Sequence, residues 1–243
     1  MLIASHFCDQ KILRYILGVN RSSPNMALYG DIGEIPLTIK AFTLMVNFWH
    51  HLNNLPETSL ANLALKENIE IRTNWLKTVE KIINIFDLAQ YSDSVIFKCK
   101  SKKLGRAFYR TKWEEKISTC DSSRLNFYKQ LKTDMSTANY TSLPYYRRKV
   151  IAKVRCSSHN LEIEKGRHKN QTRQRRYCLL CQERAIEDET HFLSSCQIYN
   201  RIRQTHGYAT KSPQEIMNDD NQNNLSIFLS KCFRLREKML KPK

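Results

Sequence analysis

The sequence predicts a mainly α-helical chain, an irregular array of helices with one small Cys-Cys-His-Cys module set among them. Three observations predict it. Apolar residues recur at helical spacing in several stretches, Gly and Pro number only six each, and Cys178, Cys181, His191 and Cys196 crowd into one short segment. Over 243 residues, 41% of them hydrophobic, the chain can bury a core, and a low-complexity or disordered reading does not fit.

Near the start a helix precedes the turn-rich stretch Gly18 to Asn25, whose Gly, Asn, Ser and Pro content marks a loop. Pro36 suits a first helical turn, after which Leu37, Ala41, Met45, Phe48 and Leu52 recur as a buried stripe up to Asn53-Asn54-Leu55-Pro56. His50 and His51, at the end of this helix beside Trp49, are expected at the surface. Thr73 or Asn74 caps the next helix, with Trp75, Val79, Ile82, Ile83 and Phe86 on one apolar face. Shorter helices are expected over 102–117, through Leu104, Phe108 and Ile117, and over 122–132, through Leu125, Tyr128 and Leu131. Between them Ser118 to Asp121 should turn. A helix beginning at Pro144 places Tyr146, Val150 and Val154 four apart. At the end, Leu225, Phe228, Leu229, Cys232 and Met239 propose a terminal helix with Asn221 to Asn224 leading in. The expected division is 1–155 helical, 156–205 a basic arm and metal module, and 206–243 a C-terminal helix.

The eight cysteines do not read as a disulfide framework, because the first residues lack a basic, then apolar, leader. No run approaches the ~20 apolar residues that span a bilayer. A reducing, intracellular setting is therefore expected, nuclear or cytoplasmic and without a membrane partner, and in such a setting clustered Cys and His hold metal more often than they form disulfides.

The spacing Cys178-x2-Cys181-x9-His191-x4-Cys196 is a zinc spacing. Three thiolates and one imidazole complete a tetrahedral shell around one Zn²⁺ and leave no position for catalytic water, so the ion should be structural. Five positions of an ideal α-helix turn about 500°, which would leave His191 and Cys196 roughly 140° apart. An irregularity near Ser194-Ser195 is therefore expected, with Asp188 or Glu189 opening the helical piece and Phe192, Leu193 and Tyr199 packing it. Cys156 and His159 form a second close pair, expected in the core or supporting the ligands. Cys8, Cys99, Cys120 and Cys232 are expected to be structural.

Forty Lys and Arg against 23 Asp and Glu give a formal charge of +17, for which a polyanion is the simplest partner. The densest run comprises Arg147, Arg148, Lys149, Lys153, Arg155, Lys165, Arg167, His168, Lys169, Arg173, Arg175 and Arg176, and Tyr177 ends it at the first sulfur ligand. Nucleic acid, RNA or DNA, is the expected partner, with Tyr145, Tyr146 and Tyr177 available to stack on bases. Lys98, Lys100, Lys102, Lys103, Arg106, Arg110 and Lys112 form a second basic patch.

Ser157 to Arg167, followed by Tyr177-Cys178-Leu179-Leu180-Cys181 and Glu187 to Cys196, resembles the C-terminal region of LINE-type non-LTR retrotransposon reverse transcriptases. Ile16 to Leu37 is similar to the stretch after the polymerase core of such proteins. The resemblance implies a helical region ending in a zinc knuckle that holds element RNA or target DNA, and another protein of the same element as a further partner. It does not imply catalysis here: the only Asp-Asp pair, Asp219-Asp220, sits among Asn residues, and no Tyr-x-Asp-Asp-type string is present. No catalytic residues are therefore expected. The alternative is a protein-interaction scaffold in which the module docks a partner.

Overall fold

The computed structural model describes the backbone of residues 2–241 and the side chains of residues 9–241. The expectation for Cys8 lies outside the described side chains. The chain is helical as expected: α1 (Leu2–Leu17), α2 (Asn25–Ile32), α3 (Leu37–Asn53), α4 (Leu60–Ile71), α5 (Asn74–Ile85), α6 (Ser94–Thr119), α7 (Asn126–Leu131), α8 (Tyr145–Arg155), α9 (Glu162–His168), α10 (Asn200–Thr205), α11 (Pro213–Met217) and α12 (Gln222–Leu240). Among the described residues β pairing is confined to one isolated antiparallel bridge, Tyr177 to Ile186. No helix among them is long and apolar enough to cross a membrane.

The chain divides into two compact units, one of residues 1–9 and 35–115, the other of 10–34 and 116–243. The sequence placed a boundary after residue 155, but Arg155 shares a buried ion pair with Asp31, so that point falls inside the second unit.

In the first unit α3 packs against α4 and α5. Its core is Val46, Val79, Ile82, Ile83, Phe86, Leu88 and Phe97, with Trp75 partly buried beside them. The face read for α5 is the buried one, and Thr73 caps that helix by accepting from the Leu76 amide. The α3 stripe is corrected: Ile39, Thr43, Val46 and His50 face inward, whereas Leu37 and Phe48 are 41% and 56% exposed. His50 is not a surface residue. Its ring stacks on Phe97 with centroids 4.0 Å apart, and Nε2 lies 3.1 Å from the Ser92 carbonyl. A polar ring is accepted inside when its nitrogens find partners. Helix α4 went unread because only Asn62 and Leu65 are buried along it, too few to print a stripe.

In the second unit α8 and α12 form the main packed pair. Pro144 immediately precedes α8, Asn221 caps α12 while the rest of the expected lead-in, 222–224, already lies in that helix, and Leu225, Phe228, Leu229 and Cys232 are buried. Met239 is exposed, correcting its placement on a buried face, and Tyr146 is exposed too, as stacking on a base needs. Gly33 ends α2 at φ 71°, its amide bonded to the Tyr29 carbonyl, and a Cβ there would meet the Thr137 nitrogen at 2.6 Å. Only glycine allows both the left-handed turn and that approach.

Candidate metal centre and basic surface

The metal segment starts from backbone pairing. The Cys178 amide donates to the Ala185 carbonyl at 2.8 Å and the Glu187 amide to the Arg176 carbonyl at 2.9 Å, so 176–187 folds into a hairpin. Cys178 and Cys181 stand on its turn. Asp188 then opens the helical piece, accepting from the His191 amide at 3.0 Å. The irregularity expected near Ser194 and Ser195 is a π turn, His191–Ser195, closed by the Cys196 amide on the His191 carbonyl at 2.8 Å. An i→i+5 bond widens the turn beyond the 3.6 residues of an α-helix, which brings His191 and Cys196 towards the same side.

The four side chains meet there. Their ligand atoms all lie within 4.8 Å of one another, so the group could hold a metal ion. Cys178 and Cys196 sulfurs are 4.0 Å apart, and the Cys181 sulfur is 3.4 Å from His191 Nε2. The Cys196 thiol, hydrogen-bonding to Cys178, holds the Cys178 thiol well below its usual pKa; burial opposes this and His191 assists it. Cys181 is raised, by burial first, and Cys196 is raised because Cys178 keeps the shared proton on it. Three sulfurs compete for one negative charge, and a cation among them removes the competition.

Buried charges fasten this segment to the helices around it. Arg236 on α12 grips Glu187 through two bonds of 2.8 and 2.7 Å, and Glu187 also accepts from the Glu162 amide at the start of α9 at 2.7 Å. Arg203, 2% exposed, donates to the Cys196 carbonyl at 2.5 Å and so closes the end of the π turn. His159 bonds Glu189 at 2.9 Å, while Cys156 is buried and its thiol is pushed up, chiefly by burial. Neither belongs to the four-ligand group.

The predicted basic residues divide sharply. Arg155 is corrected: it is 4% exposed and forms two bonds to Asp31, at 2.9 and 3.1 Å, between the rings of Tyr128 and Tyr140. Burial lowers its affinity for a proton, but the Asp31 charge outweighs this and the pKa stands above the ordinary value. Arg167 pairs with Glu164, and Arg176 lies over Gly166 and binds the Gln171 and Ile163 carbonyls, so both are engaged internally. His168, Lys169, Arg173, Arg175 and Tyr177 are exposed, with Arg173 also 2.8 Å from Asp188. The expected arm is a compact turn pinned by Arg176. On α8, Arg147, Arg148, Lys149 and Lys153 are half-buried, and cations lie over the rings of exposed Tyr145 and Tyr146 at 5.6 to 5.9 Å. Lys165 is paired with Glu162 at 3.4 Å. In the first unit the α6 patch is exposed except for Lys100, which lies over Tyr91.

Sequence reasoning missed the buried carboxylates. Asp31, 0% exposed, accepts from Tyr128 and Tyr140 hydroxyls at 3.0 and 2.7 Å as well as from Arg155. A signal existed, since Asp31 is a lone acid in the apolar string Ala27-Leu28-Tyr29-Gly30-Asp31-Ile32. Arg236 likewise falls four positions after Cys232 on the α12 stripe. No protein-family model, curated protein or solved structure matches this chain.

Proposed function

We propose that the chain is a zinc-stabilised nucleic-acid-binding module that acts by holding a polyanion, not by catalysis. The ion is read as Zn²⁺ from the donor set. Bonds of about 2.3 Å to sulfur and about 2.0 Å to nitrogen in a tetrahedron put two sulfurs about 3.8 Å apart and sulfur and nitrogen about 3.5 Å apart. The separations of 4.0 and 3.4 Å come close to both. Cys178, Cys181, His191 and Cys196 would hold it, and its role is to fix the hairpin and π turn.

The observation that carries the binding reading is adjacency: exposed His168, Lys169, Arg173, Arg175 and Tyr177 run directly into the first ligand, Cys178. Tyr145 with Arg148 and Lys149 over its ring, and Tyr146 with Arg147 over its own, supply aromatic faces beside positive charge, the combination that suits single strands. The resemblance of 157–196 to the tail of non-LTR reverse transcriptases supports the same reading, with element RNA or target DNA as the polyanion and a nuclear or cytoplasmic ribonucleoprotein as its setting. Filter binding across a salt series tests it. If about six phosphates are neutralised, log affinity falls against log salt with a slope near −5 for duplex and −4 for single strands. A flat response overturns the proposal.

A second reading, a protein-interaction scaffold, is favoured by one observation. In the first unit Leu44, Leu60, Ile71 and Val95 are 70%, 85%, 67% and 78% exposed. Affinity capture with and without nuclease separates the two, because partners held through nucleic acid are lost on digestion.

A further inference from the structure

Between α8 and α12 lies an open cavity of about 270 Å³, lined by Val150, Lys153, His159, Asn160, Phe233 and Arg234, with Glu237 at its wall. Pockets for drug-sized ligands start at about 300 Å³, so this one suits a single planar ring system rather than an extended chain. Its walls are fixed from behind. Phe233 stacks on Phe192 with centroids 4.7 Å apart, and His159 is held by Glu189. Phe192 and Glu189 both flank the ligand His191, so the metal segment sets both walls.

The polar groups at the cleft differ from five arginines of the same unit, Arg155, Arg167, Arg176, Arg203 and Arg236, which are all engaged internally. Among the described residues Lys153, Asn160, Arg234 and Glu237 make no side-chain hydrogen bond or ion pair with the protein. The cleft therefore presents two cations, one amide and one carboxylate without hydrogen-bond partners, Lys153 and Glu237 within each other's field, beside one aromatic ring backed by Phe192. A nucleotide uses all five: a flat base for the ring, donors and acceptors at its edge for the amide and carboxylate, and a phosphate for the cations.

We infer that this cleft takes one unstacked nucleotide of a single strand, the base against Phe233 with Asn160 and Glu237 at its edge and the phosphate at Lys153 and Arg234. The inference rests on the nucleic-acid reading and deepens it, since the basic turn would give affinity and the cleft would tell single strand from duplex.

The test compares the full chain with Phe233→Leu and Asn160→Ala, using labelled ten-nucleotide homopolymer single strands and a hairpin duplex. Phe233→Leu keeps an apolar wall and loses the ring. It is expected to weaken single-strand binding about tenfold, the scale of one lost base–aromatic stack, with duplex binding and the salt slope unchanged. Asn160 is exposed, so Asn160→Ala leaves packing intact and should flatten the ranking of the four homopolymers. Equal loss on duplex and single strand, or an unchanged ranking in Asn160→Ala, overturns the cleft alone. Failure of the unsubstituted chain to bind any oligonucleotide overturns the nucleic-acid reading as well.

Discussion

Each of the two units buries an apolar core, and they differ in the charge buried beside it. In the first, seven apolar side chains from α3, α5, α6 and the segment after α5 form the core cluster, whose attraction is non-directional. In the second, Asp31, Glu164, Glu187 and Glu189 are all buried, each facing an Arg or His, and four side chains that could hold a metal ion converge close to Glu187 and Glu189 in the sequence. Directional bonds fail abruptly when one partner goes, whereas an apolar cluster loses stability in proportion to what is removed. The contrast is between a tolerant unit and an exacting one.

The sharpest way to break that comparison is at the metal. Cys178→Ser, or a strong chelator, should remove an ion whose binding is worth about 10–16 kcal/mol in small zinc peptides. Amide exchange is expected to accelerate over 176–196 while α3 and α5 keep their protection. Elemental analysis of freshly purified chain should find one zinc, and its absence would dispose of the centre.

Next in size is Asp31→Ala. It strands the Arg155 guanidinium and two tyrosine hydroxyls in a closed interior, and removing one partner of a buried pair costs about 3–5 kcal/mol. Chemical denaturation that separates the two units' transitions would show the loss in the second. A change below about 1 kcal/mol would mean that water reaches the site and relieves the charge. In the first unit, by contrast, Ile82→Val should cost only about 0.5–1.5 kcal/mol, because the neighbours can close on the missing methylene.

The smallest expected effect is in pH. Burial pushes the Asp219 carboxyl up, but the Tyr208 hydroxyl at 2.6 Å, the Asn221 amide and Lys211 outweigh it and leave the folded pKa below 3.8. A depressed folded value means stability present above the unfolded pKa, near 3.8, and lost as pH falls through the lower folded one. Asp219→Asn should flatten that acid limb in a comparison of melting temperature against pH. An identical limb in both proteins would assign the acid sensitivity elsewhere.

How legible each region was follows from the same difference. The α5 face could be read because Val79, Ile82, Ile83 and Phe86 repeat at the helical period, and the ligand set could be read because sulfur and imidazole at close spacing have few other uses. Helix α4 could not be read, since a helix covered on only one narrow side prints no stripe. The α3 face was shifted because Thr43 and His50, polar by type, are buried by their partners. Arg155, Arg167 and Arg176 were read as solvent-facing because a sequence shows that a cation is present but not which carboxylate or carbonyl waits for it. In the cleft, Phe233 and Arg234 come from a helix read as packing and Asn160 from a loop. Their convergence is a property of the fold and not of any local string.

The π turn carries a consequence for chain length. One residue more than an α-helical turn needs is accommodated between His191 and Cys196, because the helix widens to absorb it. A form of the segment shorter by one residue would place the imidazole and the sulfur at i and i+4 of an ordinary helix, again on one face. The centre is therefore compatible with two lengths, reached by two different windings of the backbone.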